Sequence, residues 1–288
     1  MKVVFIVFSP SGHTLIAAQK IMHLLEDKGI SCHMINITKN DKYLQDFTIT
    51  KTLVNDLGEH HLLIPCAPVY AGHCEQNMLR TIWALPREKK KQIPAIPLVT
   101  YGGVHSSVAL EEMGKALSDR GYIPIMGVKI AAEHTLTATF KKRINPNLPG
   151  KVEDQILAQA AEITKKVVND KMTVVNVRKK FAYAPFMKRL MFRIFSQEKI
   201  HGKYKKVTIN TEKCIGCKRC VAACPVNMFA YIDNTIQMVR DPKHCILCAE
   251  CYHHCPAKAV IHPYIEVARK RLSDGFAELE TPQSAIYR

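Results

Sequence analysis

Two runs in the last third of this 288-residue chain, CIGCKRCVAACP and CILCAECYHHCP, repeat one cysteine spacing. Cys214, Cys217, Cys220 and Cys224 precede Pro225, and Cys245, Cys248, Cys251 and Cys255 precede Pro256. Each cysteine of the second run lies 31 positions after its counterpart, so the stretch is a short internal duplication. Such crowding of thiols requires either disulfides or metal. The N-terminus carries one lysine and a short apolar run stopped by Ser9-Pro10, which reads as a first strand and not as an export signal. The expected location is therefore cytoplasmic, where thiols stay reduced and metal is favoured over disulfides.

Zinc would call for paired C-x2-C knuckles, and three cysteines plus a Cys-Pro in each half exceed what a tetrahedral ion uses. The C-x2-C-x2-C-x3-C-P run resembles instead the bacterial two-[4Fe–4S] ferredoxin family. That resemblance implies a small α+β domain over about 207–262 holding two [4Fe–4S] clusters, with the fourth cysteine of each run serving the other cluster. It assigns Cys214, Cys217, Cys220 and Cys255 to one cluster, and Cys245, Cys248, Cys251 and Cys224 to the second. Ferredoxins of this family are typically acidic, whereas residues 207–288 carry 10 basic and 8 acidic side chains. An acidic redox partner, such as a separate ferredoxin, is the expected match.

The preceding part alternates strand and helix signals, which predicts a parallel sheet covered on both faces. Val3 to Phe8 is a continuous apolar run, as in a strand buried on both sides. Residues 32–37, Leu62 to Ile64, Leu98 to Thr100 and Ile123 to Ile130 supply four more strands. Leu15, Ala18, Met22 and Leu25, then Met78, Ile82 and Leu85, then Leu110, Met113 and Leu117 fall at helical spacing. Val152, Ile156, Ile163 and Val167 mark a last helix. The expected architecture is a doubly wound five-stranded domain of order 2-1-3-4-5 over 1–170, a basic linker over 171–206, the cysteine domain, and a C-terminal tail over 263–288.

In that order, ligands bind beyond the carboxyl ends of the strands, where strand order reverses. The loop SPSGHT leaves strand 1 for a helix, so its backbone N–H groups can receive a phosphate without a cationic side chain. No G-K-[ST] follows, which excludes a Walker A loop. The pattern resembles the FMN-phosphate loop of flavodoxins, and the resemblance assigns Ser9, Pro10, Ser11, Gly12, His13 and Thr14 to the phosphate. It also places Pro68, Val69, Tyr70, Ala71 and Gly72 after strand 3, and Thr100, Tyr101, Gly102 and Gly103 after strand 4, around the isoalloxazine. Tyr70 or Tyr101 is the candidate to stack on the ring. FSPSGHT, PVYAG, TYGG and the duplicated cysteines together resemble the EFR1-type flavodoxin–ferredoxin fusion proteins of anaerobes. The resemblance implies an electron-transfer iron–sulfur flavoprotein. An FMN-dependent reductase and a redox-sensing or docking subunit are the alternatives.

Residues 171–206 carry 11 basic side chains and one acidic, which is most of the net charge of +16 and argues against a general nucleic-acid face. Met187, Leu190, Met191 and Ile194 form an apolar helical stripe there, with Phe181, Phe186, Phe192 and Phe195 interleaved; it is expected to pack between the domains, and docking on an acidic partner or lying on an anionic membrane are the alternatives. Cys32, Cys66 and Cys74 lack metal spacing and read as core residues. His13, His73 and His105 are weak proton-donor candidates for the reductase alternative. No apolar run is long enough to span a membrane. A homo-oligomer is compatible with the sequence.

Overall fold

Strand β1 (Lys2–Val7) is apolar on both faces because it lies inside the sheet. It pairs in parallel with β2 (Ser31–Asn36) on one side and β3 (Leu62–Tyr70) on the other. Two short pieces, β4 (His73–Cys74) and β5 (Pro94–Ala95), precede β6 (Leu98–Tyr101). Next, β7 (Ile123–Pro124) precedes β8 (Gly127–Ala131). The long parallel strands run β2-β1-β3-β6-β8, which is the expected order 2-1-3-4-5. This computed structural model describes residues 2–44, 49–87, 92–141, 143–169, 176–194, 199, 206–273 and 283–288. The expected fifth strand is split in two, with Ile123–Pro124 beside β5 and Gly127–Ala131 beside β6.

Alternation along β1 feeds two cores. Val3, Phe5 and Val7 join α1 (His13–Glu26), while Val4, Ile6 and Phe8 face the opposite layer. That layer holds α2 (Asp41–Leu44), α3 (Ile49–Leu57), α4 (Gln76–Ala84) and α5 (Ala109–Asp119). The first two of these elements carried no expectation. Helix α6 (Lys151–Asn169) packs beside α1, and three of the four expected stripe residues, Ile156, Ile163 and Val167, lie partly buried against that core. Leu157, Ala160, Ala161, Thr164 and Val168 are buried, while Val152 is exposed. Small alanines let α6 lie close, and the expected stripe flanks this buried face.

The linker is threaded along this half by its aromatics. Phe181 is fully buried against Gly114 of α5 and Gly127 of β8, where an added Cβ would stand 2.5 Å and 2.7 Å from the ring. Tyr183 donates to Ser106 Oγ at 2.7 Å and stacks on Tyr287 at 4.7 Å. Helix α7 (Phe186–Ile194) follows, with Phe192 buried. The expected packing of Met187, Leu190, Met191 and Ile194 is not found: all four are exposed. Phe195 lies outside the described residues.

The cysteine domain pairs β9 (Thr208–Ile209) with β12 (Val260–Ile261) around α8 (Arg219–Ala223), the hairpin β10 (Phe229–Ile232) with β11 (Thr235–Met238), and α9 (Glu250–His253). Helix α10 (Pro263–Ser273) leads out, and β13 (Ala285–Tyr287) pairs antiparallel with β8. The tail thus adds a sixth strand to the edge of the sheet, which was not expected, and covers β8 from edge pairing. Replacing Phe181 by alanine empties a slot shaped by two glycines. Denaturant unfolding should show a loss of about 3–5 kcal/mol, whereas Val152→Ala should stay within about 0.5 kcal/mol.

Candidate functional site

The duplicated sequence produces a duplicated backbone. Gly216 and Leu247, Lys218 and Ala249, Asn227 and Lys258 all hold positive φ, and the members of each pair are 31 positions apart. Left-handed residues interrupting such loops turn successive N–H groups inward, which makes a concavity suited to an anionic cluster. The fourth sulfur of each run accepts an amide from four residues on: Met228 N–H to Cys224 Sγ and Ala259 N–H to Cys255 Sγ, both at 3.2 Å.

Two small cavities, each partly open to solvent, lie within these loops. Cys214, Cys217, Cys220 and Cys255 line the first, and Cys224, Cys245, Cys248 and Cys251 line the second. The fourth cysteine of each run therefore faces the other run's cavity. Apolar side chains complete both walls: Ile209, Ile236 and Val260 in the first, Val226, Met228 and Ile246 in the second. Among the described residues, no three histidine, cysteine or carboxylate side chains gather as a site for one ion. Thiols placed around a cavity, not on a point, fit a polynuclear cluster, and all eleven cysteines are free. Burial pushes Cys245 up to about 11 and raises Cys220, Cys224, Cys248 and Cys251, so binding a metal core must displace protons from these thiols.

At the crevice, Gly12 caps α1 at φ 88° with nothing within 4 Å of where a Cβ would sit. Ser9 is buried and its Oγ accepts the Leu15 amide at 2.9 Å, while its own N–H donates to Thr38 Oγ1 at 2.8 Å. Thr14 Oγ1 and Thr100 Oγ1 share one hydrogen bond of 2.7 Å, which ties the first loop to the end of β6 and leaves one of the two hydroxyl hydrogens over. Two of the three expected hydroxyls thus build the loop. Pro10, Ser11 and His13 are half-buried around it, and burial lowers the His13 pKa. An anion cradle is a sound fit for a glycine-opened helix start of this kind.

The second loop is a tight hairpin. Val69 pairs with Cys74 and Tyr70 with His73, around Ala71 (φ 51°) and Gly72 (φ 81°). Both central residues are left-handed, as a type I′ turn requires. A Cβ on Gly72 would stand 2.7 Å from Phe192 and 2.9 Å from His105, so the linker helix rests on this turn. His73 is locked to Glu112 at 2.7 Å, and Glu112 also accepts the Cys74 amide at 3.0 Å.

In the third loop, Gly103 is left-handed (φ 82°) and Gly102 lies under His134, whose ring would be 2.7 Å from an added Cβ. Tyr101 is not placed to stack on a ligand. It is buried, its hydroxyl accepts the Gln283 amide at 2.7 Å, and Lys129 Nζ stands 5.0 Å from its ring. His134 and Asn145, which donates to Gly102 O at 2.9 Å, were missed. Burial pushes His134 down to about 4. Both follow the last parallel strand, and that position at a strand's carboxyl end was the one signal that pointed to them.

The two halves meet beside this hairpin. Tyr70 packs on the core that contains Cys248 and Cys251, and burial together with nearby Cys248 and Glu75 pushes its phenol well up. Lys39 donates its amide to Pro225 O at 2.7 Å and its ammonium to Val221 O at 3.0 Å. Asn227 donates to Asp41 Oδ1 at 2.9 Å, and Arg240 to Leu44 O at 3.0 Å. Residues of the sheet half and of the second cavity belong to one apolar core.

Known proteins resemble parts of this chain. Residues 206–256 match the model of the 4Fe-4S dicluster domain. An uncharacterized ferredoxin of Methanocaldococcus jannaschii is 28% identical over 67 residues, 23% of this chain and 87% of that protein. Flavodoxin 1 of Bacillus cereus superposes with a TM-score of 0.42 at 16% identity, covering 58% of this chain and 98% of its own. Rubredoxin oxygen:oxidoreductase of Desulfovibrio gigas gives 0.45 at 15% identity, with 60% of this chain matching 37% of that one. Strand order, not these distant likenesses, establishes the flavodoxin-like sheet. The chain joins that sheet to a ferredoxin-type iron–sulfur domain.

Just past the hairpin, Glu75 is fully buried and caps α4, accepting the amides of Asn77 at 2.8 Å and Met78 at 3.3 Å. Burial outweighs those bonds and raises its pKa from 4.5 to about 7. The folded state then holds this proton more tightly than the unfolded chain does. Its contribution to stability is fully present below pH 4.5 and is lost as pH rises through about 7. The loss is on the order of 3 kcal/mol. Glu75→Gln should flatten that part of a stability-against-pH curve measured by denaturant unfolding; an unchanged slope would remove Glu75 as its source.

Proposed function

We propose that this chain is an electron-transfer iron–sulfur flavoprotein of the EFR1 type, exchanging electrons with an acidic redox protein such as a ferredoxin in an anaerobe. One observation carries the reading: a cavity ringed by four cysteines abuts the very hairpin assigned to the flavin. In this reading Cys214, Cys217, Cys220 and Cys255 ligate one [4Fe–4S] cluster, and Cys224, Cys245, Cys248 and Cys251 the other. FMN is the natural companion, because it exchanges electrons singly with clusters and in pairs with other carriers.

The first-turn amides of α1, with Ser11 and the spare hydroxyl hydrogen of Thr14 or Thr100, would receive its phosphate. Pro68 to Gly72 and the backbone of Thr100 to Gly103 would border its ring, with Tyr70 between that ring and Cys248. Val226, Met228 and Ile246 give the second cavity an apolar wall. Substrate reduction would need a proton donor at the crevice. Of the candidates His13, His73 and His105, burial lowers the His13 pKa, His73 is oriented by Glu112, and His105 lies against Phe192.

Anaerobic reconstitution should load about eight iron and eight sulfide per chain, with FMN. Cys255→Ser should disturb the cluster of Cys214, Cys217 and Cys220, and Cys224→Ser the cluster of Cys245, Cys248 and Cys251, each leaving the other paramagnetic signal in place. Uncrossed losses would overturn the ligand sets. Replacing Gly12 by valine should abolish flavin retention without changing iron content; retained flavin would move the phosphate elsewhere.

A further inference from the structure

Helix α7 is turned inside out. Phe186 (67%), Met187 (71%), Leu190 (41%), Met191 (47%) and Ile194 (54%) are all exposed. At 3.6 residues per turn these five side chains fall within an arc of about 140° that contains no charged residue of the helix. The opposite side meets the protein: Phe192 is buried against Gly72, 4.8 Å from the ring of His105. Arg189 and Arg193 turn to Glu111 at 2.7 Å and 2.6 Å. A surface helix normally presents the reverse arrangement, with apolar residues inward.

We infer that the outward face of α7 seats this protein on an anionic lipid surface. The apolar arc would lie at the boundary of headgroups and acyl chains, with lipid phosphates meeting lysines and arginines of the sequence segment that carries it. Three observations select this occupant. Residues 171–206 hold 11 lysines and arginines against one glutamate, a composition suited to an anionic membrane surface. The arginines of the helix are committed to Glu111, so the exposed arc itself is purely apolar, as insertion needs and as an acidic protein partner would not prefer.

Size is the third. A nine-residue helix is roughly 14 Å long, and one face of it falls well short of the roughly 800 Å² per partner that a stable protein interface buries. A second copy would also bring another +16 of charge to the same place.

The test is flotation of the cluster-loaded full chain with vesicles of phosphatidylcholine alone and of phosphatidylcholine mixed with phosphatidylglycerol. The wild type should float with the anionic vesicles, and less so as salt is raised. Leu190→Asp combined with Met191→Asp should lower that partition at least about tenfold, while iron–sulfur absorbance stays unchanged, because both positions are exposed. A wild type that stays unbound to anionic vesicles would overturn the inference, as would a double variant that floats equally well. A dimer in light scattering that the double variant dissolves, with no flotation, would assign the face to a second copy and would also overturn it.

Discussion

Neither run of cysteines lines its cavity alone. Cys255 returns to the cavity of the first run, and Cys224 stands in the cavity of the second. A small domain with two-residue strands and five-residue helices has little apolar core of its own. The crossing makes each cavity depend on both loops, so the domain closes around its contents as one unit. The cost appears in the backbone: Leu247, Ala249 and Lys258 hold a left-handed conformation that L side chains adopt at a cost of order 1–3 kcal/mol each. A strongly bound core that the surrounding N–H groups also recognise is what makes that strain tolerable.

Crossing also orders the two cavities in space. Cys248 and Cys251 are buried beside Tyr70, whereas Cys217 is exposed with Ile215 next to it. In the relay proposed above, the second cavity is the inner one and the first faces a partner. The junction that sets this order is polar at its edge and apolar at its centre. Lys39, Asn227 and Arg240 reach backbone carbonyls of the other half, and such bonds fix register where side chains packing alone would allow sliding.

The sheet was legible because buried parallel strands leave uninterrupted apolar runs such as Val3 to Phe8, and the cavities because thiol spacing is dictated by a rigid core. Legibility stopped where packing partners are distant in sequence. The buried face of α6 includes Ala160, Ala161 and Thr164, which carry little hydropathic signal. Tyr101 reads as a free loop aromatic until Gln283 arrives from the far end of the chain. Ser9 and Thr14 look like hydroxyl donors to a ligand, yet in the loop Ser9 Oγ accepts the Leu15 amide and Thr14 bonds Thr100. The stripe on α7 was correctly periodic, but periodicity says nothing about which side of a helix is inward; Phe192 and Glu111 decide that.

Because β13 returns to pair with β8, the cysteine domain is held between two passes of the chain over the same sheet. The outgoing pass is pinned by Phe181 in its glycine slot and by Tyr183 on Ser106. The returning pass is pinned by Ser284, which accepts the Ala131 amide and donates to Glu153, both at 2.8 Å. Tyr183 and Tyr287 stack, so the two passes clamp each other. A domain tethered at one end samples many orientations, and each costs time in contact for any transfer that depends on proximity. Two tethers that meet on one strand remove most of that freedom before any interface forms, so the modest set of contacts at Lys39, Asn227 and Arg240 suffices to keep the second cavity against the hairpin.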